Sequence, residues 1–308
     1  MIMGFWIDPG LDYGDPATIE SLENGFRSHV NRFKCHPAVL AWGIGNENNL
    51  SYAGNLADWF ALANRLACVG YAEEGEAYHP TMVINGGMRH FGDMSLGSDD
   101  VSMKCVDAWG HNAYPGEDFH CYFDYYDRLS AKPLIVTEYG IDALDNRVGA
   151  EYQSVQADYA VHQWRQIEAG CVGGTIMEYS DEWWKADRPC DHERGGHYTR
   201  AHPDGFSNEE WYGLMRVEDN GSHCDNLVPR ETYFALTAEF GNAVGDYDQS
   251  GHLDLVDIAA IQRCFGSAAT GMCYKAFEFV SDGTIDLLDY AVFRVCLNGP
   301  NSPSRCGE

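Results

Sequence analysis

Residues 36–48 read HPAVLAWGIGNEN and residues 132–140 read KPLIVTEYG. Each is a short apolar run with a proline near its start, and each delivers a glutamate at its far end: Glu47 in the first, Glu138 in the second. Apolar or β-branched runs of this length between turn signals are the pattern of strands buried on both faces, the strand type of a parallel sheet. The same pattern predicts strands over 2–7, 39–44, 81–85, 106–109, 133–137 and 172–177. Helical patterns fall between and after them, over 16–33, 55–69, 151–169 and 230–240, and in the last Tyr233, Leu236, Thr237 and Phe240 share a face. Strands alternating with helices argue for a parallel α/β architecture, in which polar side chains just past the strand ends build the active site.

The chain has 308 residues, 45% of them hydrophobic, which suits one large domain plus a small one and excludes wholesale disorder. Its 20 Lys and Arg stand against 47 Asp and Glu, a net charge of −27 that repels nucleic-acid phosphates and anionic lipid. No stretch approaches the roughly 18 consecutive apolar residues of a membrane-spanning helix. The start, MIMGFWI, lacks the basic segment and small-residue cleavage site of a signal peptide. Eleven cysteines without a C-x-x-C pair exclude a zinc ribbon or thioredoxin-type motif, and the odd number leaves at least one thiol unpaired.

Two carboxylates carried just past strand ends can face one another across a sugar ring. One then protonates the leaving oxygen while the other attacks the anomeric carbon or activates water. A lone glutamate in so acidic a chain is ordinarily a solvated loop acid. Here the two runs together resemble the fourth and seventh strands of the clan of retaining glycoside hydrolases with (β/α)8 barrels. They are most similar to the catalytic barrel of the β-galactosidase and β-glucuronidase family, through the Asn-Glu of the first run and the Thr-Glu-Tyr-Gly of the second. The resemblance implies that Glu47 is the acid/base, Glu138 the nucleophile and Asn46 a hydrogen-bonding partner of the sugar 2-hydroxyl.

Weaker signals follow the same frame. Residues 106–116, VDAWGHNAYPG, look like the sixth strand of that clan, where a His or Tyr approaches the nucleophile; His111 and Tyr114 are the candidates, against the reading that they fill a loop. Residues 178–185, EYSDEWWK, follow the eighth strand, and Trp183 and Trp184 either offer an aromatic face to a pyranose or cover the barrel rim. Asn85 and Trp42 read as structural. Cys190, His192, His197 and His202 fit no standard zinc spacing and read as a solvated loop bordering the cleft. Asp8, Asp12 and Asp15 are turn formers first.

From Gly245 the composition changes to two copies of an Asp-rich loop and an apolar helix, offset by 32 residues, so that Asp254, Asp257 and Cys264 align with Asp286, Asp289 and Cys296. Asp246, Asp248, Ser250, His252, Asp254 and Asp257 occupy positions 1, 3, 5, 7, 9 and 12 of an EF-hand-like loop, with His252 offering its backbone carbonyl. These offsets place hard oxygen ligands as Ca²⁺ requires; the competing reading is an acidic turn without an ion. The duplicated pattern with Asp at position 12 resembles a dockerin-type module, which implies a cohesin-like or cell-surface partner. The second copy places Glu278, Val280, Asp282, Thr284, Asp286 and Asp289 at those positions, and because Val280 cannot ligate a metal this site is expected to be weaker or empty. Cys264 with Cys273, and Cys296 with Cys306, are candidates to close short loops in a module with little core.

The expected fold is therefore α/β: an incomplete (β/α)8 barrel over 1–242 and a small α-helical, dockerin-like module over 243–308. Residues 4–10, GFWIDPG, look like the clan's third strand, so the first two strands are expected to be missing from this chain. The expected function is retaining hydrolysis of β-linked glycosides, with calcium structural and no cofactor in catalysis. The alternative is a catalytically impaired barrel serving carbohydrate binding or dockerin-anchored assembly; transglycosylation through the same intermediate is a milder variant. The family resemblance implies an extracellular or cell-surface location.

Overall fold

The computed structural model describes residues 1–308 apart from 76–77, 186–187, 189–190, 222–224, 241–244, 249–252, 254, 268–272, 274–275, 281 and 297–308. The chain divides into two compact units, Met1–Thr232 and Tyr233–Glu308. The boundary expected near Asn242 lies outside the described residues. No described helix is long and apolar enough to cross a membrane.

In the first unit, strands β1 (Ile2–Phe5), β2 (Ala41–Ile44), β3 (Thr81–Gly86), β4 (Ala108–Asn112) and β5 (Leu134–Tyr139) pair in parallel in chain order. A small hairpin of β6 (Leu144–Asp145) and β7 (Ala150–Glu151) follows, and the chain returns as β8 (Gly173–Ile176) alongside β5. All six expected strands are thus present in one parallel sheet, six of the eight that a closed barrel needs, with β1 and β8 as its edges. The expected helices are α1 (Pro16–Phe33), α3 (Leu56–Glu74), α5 (Gln153–Gly170) and α6 (Glu231–Phe240). Two short helices, α2 (Asn48–Ser51) and α4 (Tyr122–Tyr126), have no periodicity to announce them because each is little more than one turn.

The period-2 alternation of side chains sorts the sheet into two faces. On one, Ile2, Ala41, Met82 and Ala108 pack together with Ile84 and Ile135. On the other, Trp42, Ile44, Val83, Trp109 and Leu134 meet Phe26 and Val30 of α1 and Trp59, Phe60 and Leu66 of α3. Trp42, Trp59 and Trp109 are fully buried, each contributing on the order of 4–6 kcal/mol of transfer free energy before the entropic cost of ordering. Asp8 and Asp12 accept from the backbone N–H of Gly10 and Gly14, and Asp15 caps α1 by accepting from Thr18 N at 2.8 Å. These three acids are turn and cap residues, as their spacing suggests. A disulfide between Cys68 and Cys105 ties α3 to the segment before β4.

Beyond β8 the chain forms two antiparallel pairs, β9 (His197–Tyr198) with β10 (Phe206–Ser207) and β11 (Met215–Glu218) with β12 (Asn226–Pro229). The second unit takes in α6 from Tyr233 onward and contains α7 (Leu255–Cys264) and α8 (Leu287–Cys296). Its core uses the internal repeat: Leu253 and Ile285, and Ile261 and Phe293, stand at the 32-residue offset and are all buried. The expected Cys264–Cys273 disulfide is formed. Cys306, expected to pair with Cys296, lies outside the described residues.

Candidate active site

Glu47 follows β2 in a left-handed backbone conformation, φ 54° and ψ 24°, which is uncommon for a residue with a side chain. Its surroundings hold it there. Its N–H donates to Ile84 O at 3.1 Å, and its carbonyl accepts from Leu50 N and Ser51 N in the first turn of α2. Asn49 latches that turn to β3, donating to Gly86 O at 2.6 Å and accepting from Gly86 N at 2.9 Å. Glycine at position 86 leaves room for the ends of the Leu50 and Glu47 side chains, which a Cβ there would approach to 2.6 and 2.8 Å. Asn48 turns inward, accepting from Asn46 N and donating to Ile7 O and the Tyr13 hydroxyl.

Asn46 is fixed from across the sheet. Its Oδ1 accepts from Asn112 Nδ2 at 3.0 Å, and Asn112 Oδ1 in turn accepts from Thr137 Oγ1 at 2.8 Å. This side-chain relay joins the ends of β2, β4 and β5, and Glu138 is the next residue after Thr137. The Tyr114 hydroxyl donates to Glu138 Oε2 at 2.6 Å. Burial pushes the Glu138 carboxyl above the usual carboxylate range; the Tyr114 hydrogen bond opposes that rise, the Glu47 charge adds to it and Lys185 offsets part of it.

Asn46, Glu47, Tyr114 and Glu138 line one cleft of about 310 Å³, together with Met177, Lys185, Glu209, Tyr212 and the β9–β10 segment through His197, Thr199, Ala201, His202 and Ser207. The two glutamates singled out by the sequence therefore share a cleft at the C-terminal ends of the strands. A second cavity, about 110 Å³, opens behind His202. Its acids are already engaged, Asp142 by His202, Asp145 by Arg147 and Asp204 by Asn146, which leaves no carboxylate pair there for chemistry on a substrate.

Three of the expected substrate contacts are placed elsewhere. His111 shares the helix-facing side of β4 with Trp109; it stacks on Tyr122, hydrogen-bonds the Tyr122 hydroxyl through Nδ1, and meets the edge of Phe91. Burial depresses its imidazole to about 4, so it stays neutral at physiological pH. Trp183 stacks on His192 with centroids 5.1 Å apart, and His192 stacks on Trp211 at 3.4 Å, so protein rather than sugar covers that face. Trp184 is exposed, and neither tryptophan lines the cleft. The loop read as solvated is partly buried: His202 Nδ1 lies 2.9 Å from Asp142 Oδ2, and its Nε2 lies 2.9 Å from the Tyr212 hydroxyl.

Asn112, Lys185, Glu209 and Tyr212 are site residues that sequence reasoning missed. Asn112 carried a signal, standing one residue from His111 and so on the opposite face from Trp109. Lys185 ends the same stretch from which the tryptophans were chosen. Glu209 and Tyr212 lie on a distant segment without a motif.

In the second unit, one oxygen each from Asp246, Asp248 and Asp257 converge within 4.8 Å, as do oxygens of Glu278, Asp282 and Asp289. Ser250, His252 and Asp254 lie outside the described residues. Three converging carboxylates suit a hard divalent cation. Asp257 Oδ1 accepts from Tyr247 N at 2.7 Å, and Asp289 Oδ1 accepts from Phe279 N at 2.8 Å, the same bond at the repeat offset. In the second loop Asp289 also accepts from Val280 N and Asp286 N, and Glu278 Oε1 accepts from Asp282 N and Gly283 N.

A parallel sheet of six strands with helices, carrying Glu47 and Glu138 past the C-terminal ends of its strands, has the architecture of an incomplete α/β barrel. The model of glycosyl hydrolases family 2, TIM barrel domain, matches residues 12–186, more than half of the chain, and the chain belongs to that family. No curated protein matches it. Among solved structures it is similar to the β-glucuronidase of Bifidobacterium dentium, with a TM-score of 0.50 and 17% identity over 77% of this chain and 35% of that one. It is also similar to a GH2 β-galacturonidase of Eisenbergiella tayi, with a TM-score of 0.47 and 18% identity over 73% of this chain and 37% of that one. The β-D-glucuronidase of Dictyoglomus thermophilum gives 0.48 and 16%, over 78% and 39%. At such identities the likeness concerns the fold, and this chain spans about a third of the length of the Bifidobacterium enzyme.

Proposed function

We propose that the first unit hydrolyses β-linked glycosides with retention, by double displacement. The observation that carries this reading is the sharing of one cleft by Glu47 and Glu138, with a phenol aimed at one of them. Glu138 attacks the anomeric carbon to form a glycosyl-enzyme while Glu47 gives its proton to the departing oxygen; Glu47 then takes a proton from water, which releases the sugar with its original configuration. Asn46, oriented by Asn112, meets the sugar 2-hydroxyl, and Tyr114 holds the attacking carboxylate. This chemistry expects carboxyl groups about 5–5.5 Å apart. Family membership, together with β-glucuronidase and β-galacturonidase neighbours, supports β-linked glycosides as the substrate class.

The test is trapping with a 2-deoxy-2-fluoro aryl β-glycoside, followed by peptide mass spectrometry. An adduct on Glu138 supports the assignment; an adduct elsewhere, or inverted product, defeats it. Sugar binding without any adduct would instead support a catalytically impaired barrel that binds carbohydrate.

For the second unit we propose a structural Ca²⁺ site held by Asp246, Asp248 and Asp257, with Ser250, His252 and Asp254 completing the loop, and a cohesin-like or cell-surface partner. When bound, such an ion would supply the positive charge that offsets the repulsion among Asp246, Asp248 and Asp257. An extracellular or cell-surface location accords with this reading.

A further inference from the structure

Lys185 is the one lysine or arginine among the described residues that line the cleft, and it is already surrounded by carboxylates. Its ammonium nitrogen lies 3.3 Å from Glu182 Oε2, 3.8 Å from Glu209 Oε2 and 3.9 Å from Glu178 Oε2. Glu178 and Glu182 stand outside the cleft lining, whereas Glu209 lines it with Glu47 and Glu138. The lining thus carries three carboxyl groups against one shared ammonium. The acids around Lys185 hold its pKa above the usual lysine value despite burial, as expected for a cation whose charge is already balanced.

A carboxylate on an incoming sugar needs donors of its own, most often an uncommitted arginine or lysine fork, because a desolvated anion without them is costly. This cleft offers a lysine already paired with Glu182 and Glu209, beside acids whose summed charge repels another carboxylate. A sugar hydroxyl meets no such opposition, since it is uncharged and a carboxylate such as Glu209 accepts from it. A protonated amine gains from the same negative field.

We infer that this cleft selects an uncharged or amine-bearing glycone and discriminates against hexuronates, with Glu209 setting the sign of the preference and Lys185 acting as its counter-ion. The inference rests on the reading of the cleft as the glycone site. It concerns binding as well as turnover, so it is measurable apart from hydrolysis.

The experiment is calorimetry on the full chain with two probes: isofagomine, and the analogue that carries a carboxylate in place of its hydroxymethyl group. Isofagomine is expected to bind at least about tenfold more tightly, because the carboxylate of its analogue adds a negative charge that the cleft's acids repel. Glu209→Gln, at a half-exposed position, should narrow that ratio by at least about threefold, while Lys185→Met leaves it unchanged or widens it. Equal or tighter binding of the carboxylate probe overturns the inference, as does its selective loss in Lys185→Met, which would make Lys185 its receptor. Binding of neither probe also overturns it. Turnover of aryl β-glucoside, β-galactoside and β-glucuronide is measured in parallel. Fastest turnover of the glucuronide defeats the inference and leaves hydrolysis standing; no turnover of any substrate, with the charge preference intact, does the reverse.

Discussion

The hydroxyl of Tyr114 donates to Glu138 Oε2 at 2.6 Å, from the loop after β4 to the end of β5. The bond favours the charged carboxylate, against burial and the Glu47 charge, which favour the neutral acid. Tyr114→Phe removes the opposing influence, so the Glu138 pKa should rise further and the acidic limb of kcat/KM should move to higher pH by about one unit. A pH–rate profile of the variant checks this; an unmoved limb would detach Tyr114 from the nucleophile.

Glu47→Ala should separate the two steps. Aryl β-glycosides with good leaving groups need no proton to depart, so their first step should survive, whereas substrates with poor leaving groups should lose about 10²- to 10⁴-fold in kcat/KM. Pre-steady-state release of a nitrophenol, followed by slow turnover, is the expected trace. Equal loss across leaving groups contradicts the acid/base role.

Glu178 sits half-buried beside Lys185 and Glu182, and desolvation pushes it up to about 8. Its folded pKa stands above the unfolded value, so its contribution is fully present below about pH 4.5 and is lost as pH rises through about 8. Glu178→Gln should therefore flatten the fall of Tm between pH 5 and pH 8 relative to the parent protein. Thermal scans at those two pH values check it, and parallel falls in both proteins would refute it.

Calcium titration of EDTA-stripped protein should find one tight site and a second that is weaker or absent. The second loop has Val280 in a ligand position and already engages Asp289 through three backbone N–H groups. Asp257→Ala should abolish the tight site and lower the Tm of the second unit, because ion binding adds directly to folding stability in so small a core. Two sites of equal affinity would show that Glu278 and a water make good the ligand lost at Val280, and no change on substitution would leave only an acidic turn.

Much of the architecture was written locally. Apolar runs at 39–44 and 133–137, each ending on a glutamate, are readable because a strand's burial and the turn that stops it are properties of adjacent residues. The 32-residue repeat announced the second unit, and its buried pairs Leu253/Ile285 and Ile261/Phe293 fall at that same offset. For His111 the family resemblance pointed to the cleft, whereas the strand's period, which sets it on the same face as Trp109, pointed to the helix-facing side where it lies.

What no local pattern carried is which distant side chains fill the same space. His192 stacks between Trp183 and Trp211, a contact among three residues 9 and 19 positions apart that no helix or strand period brings together. Glu209 meets Lys185, and His202 reaches both Asp142 and Tyr212, because β9, β10 and the turn after them fold over the ends of the strands. By itself the sequence determined the strands, the carboxylate pair and the duplicated loop, each a property of residues close together in the chain. Only the tertiary structure decided the charge balance of the cleft, because electrostatic fields depend on separations in space, and chain closure between loops sets those separations.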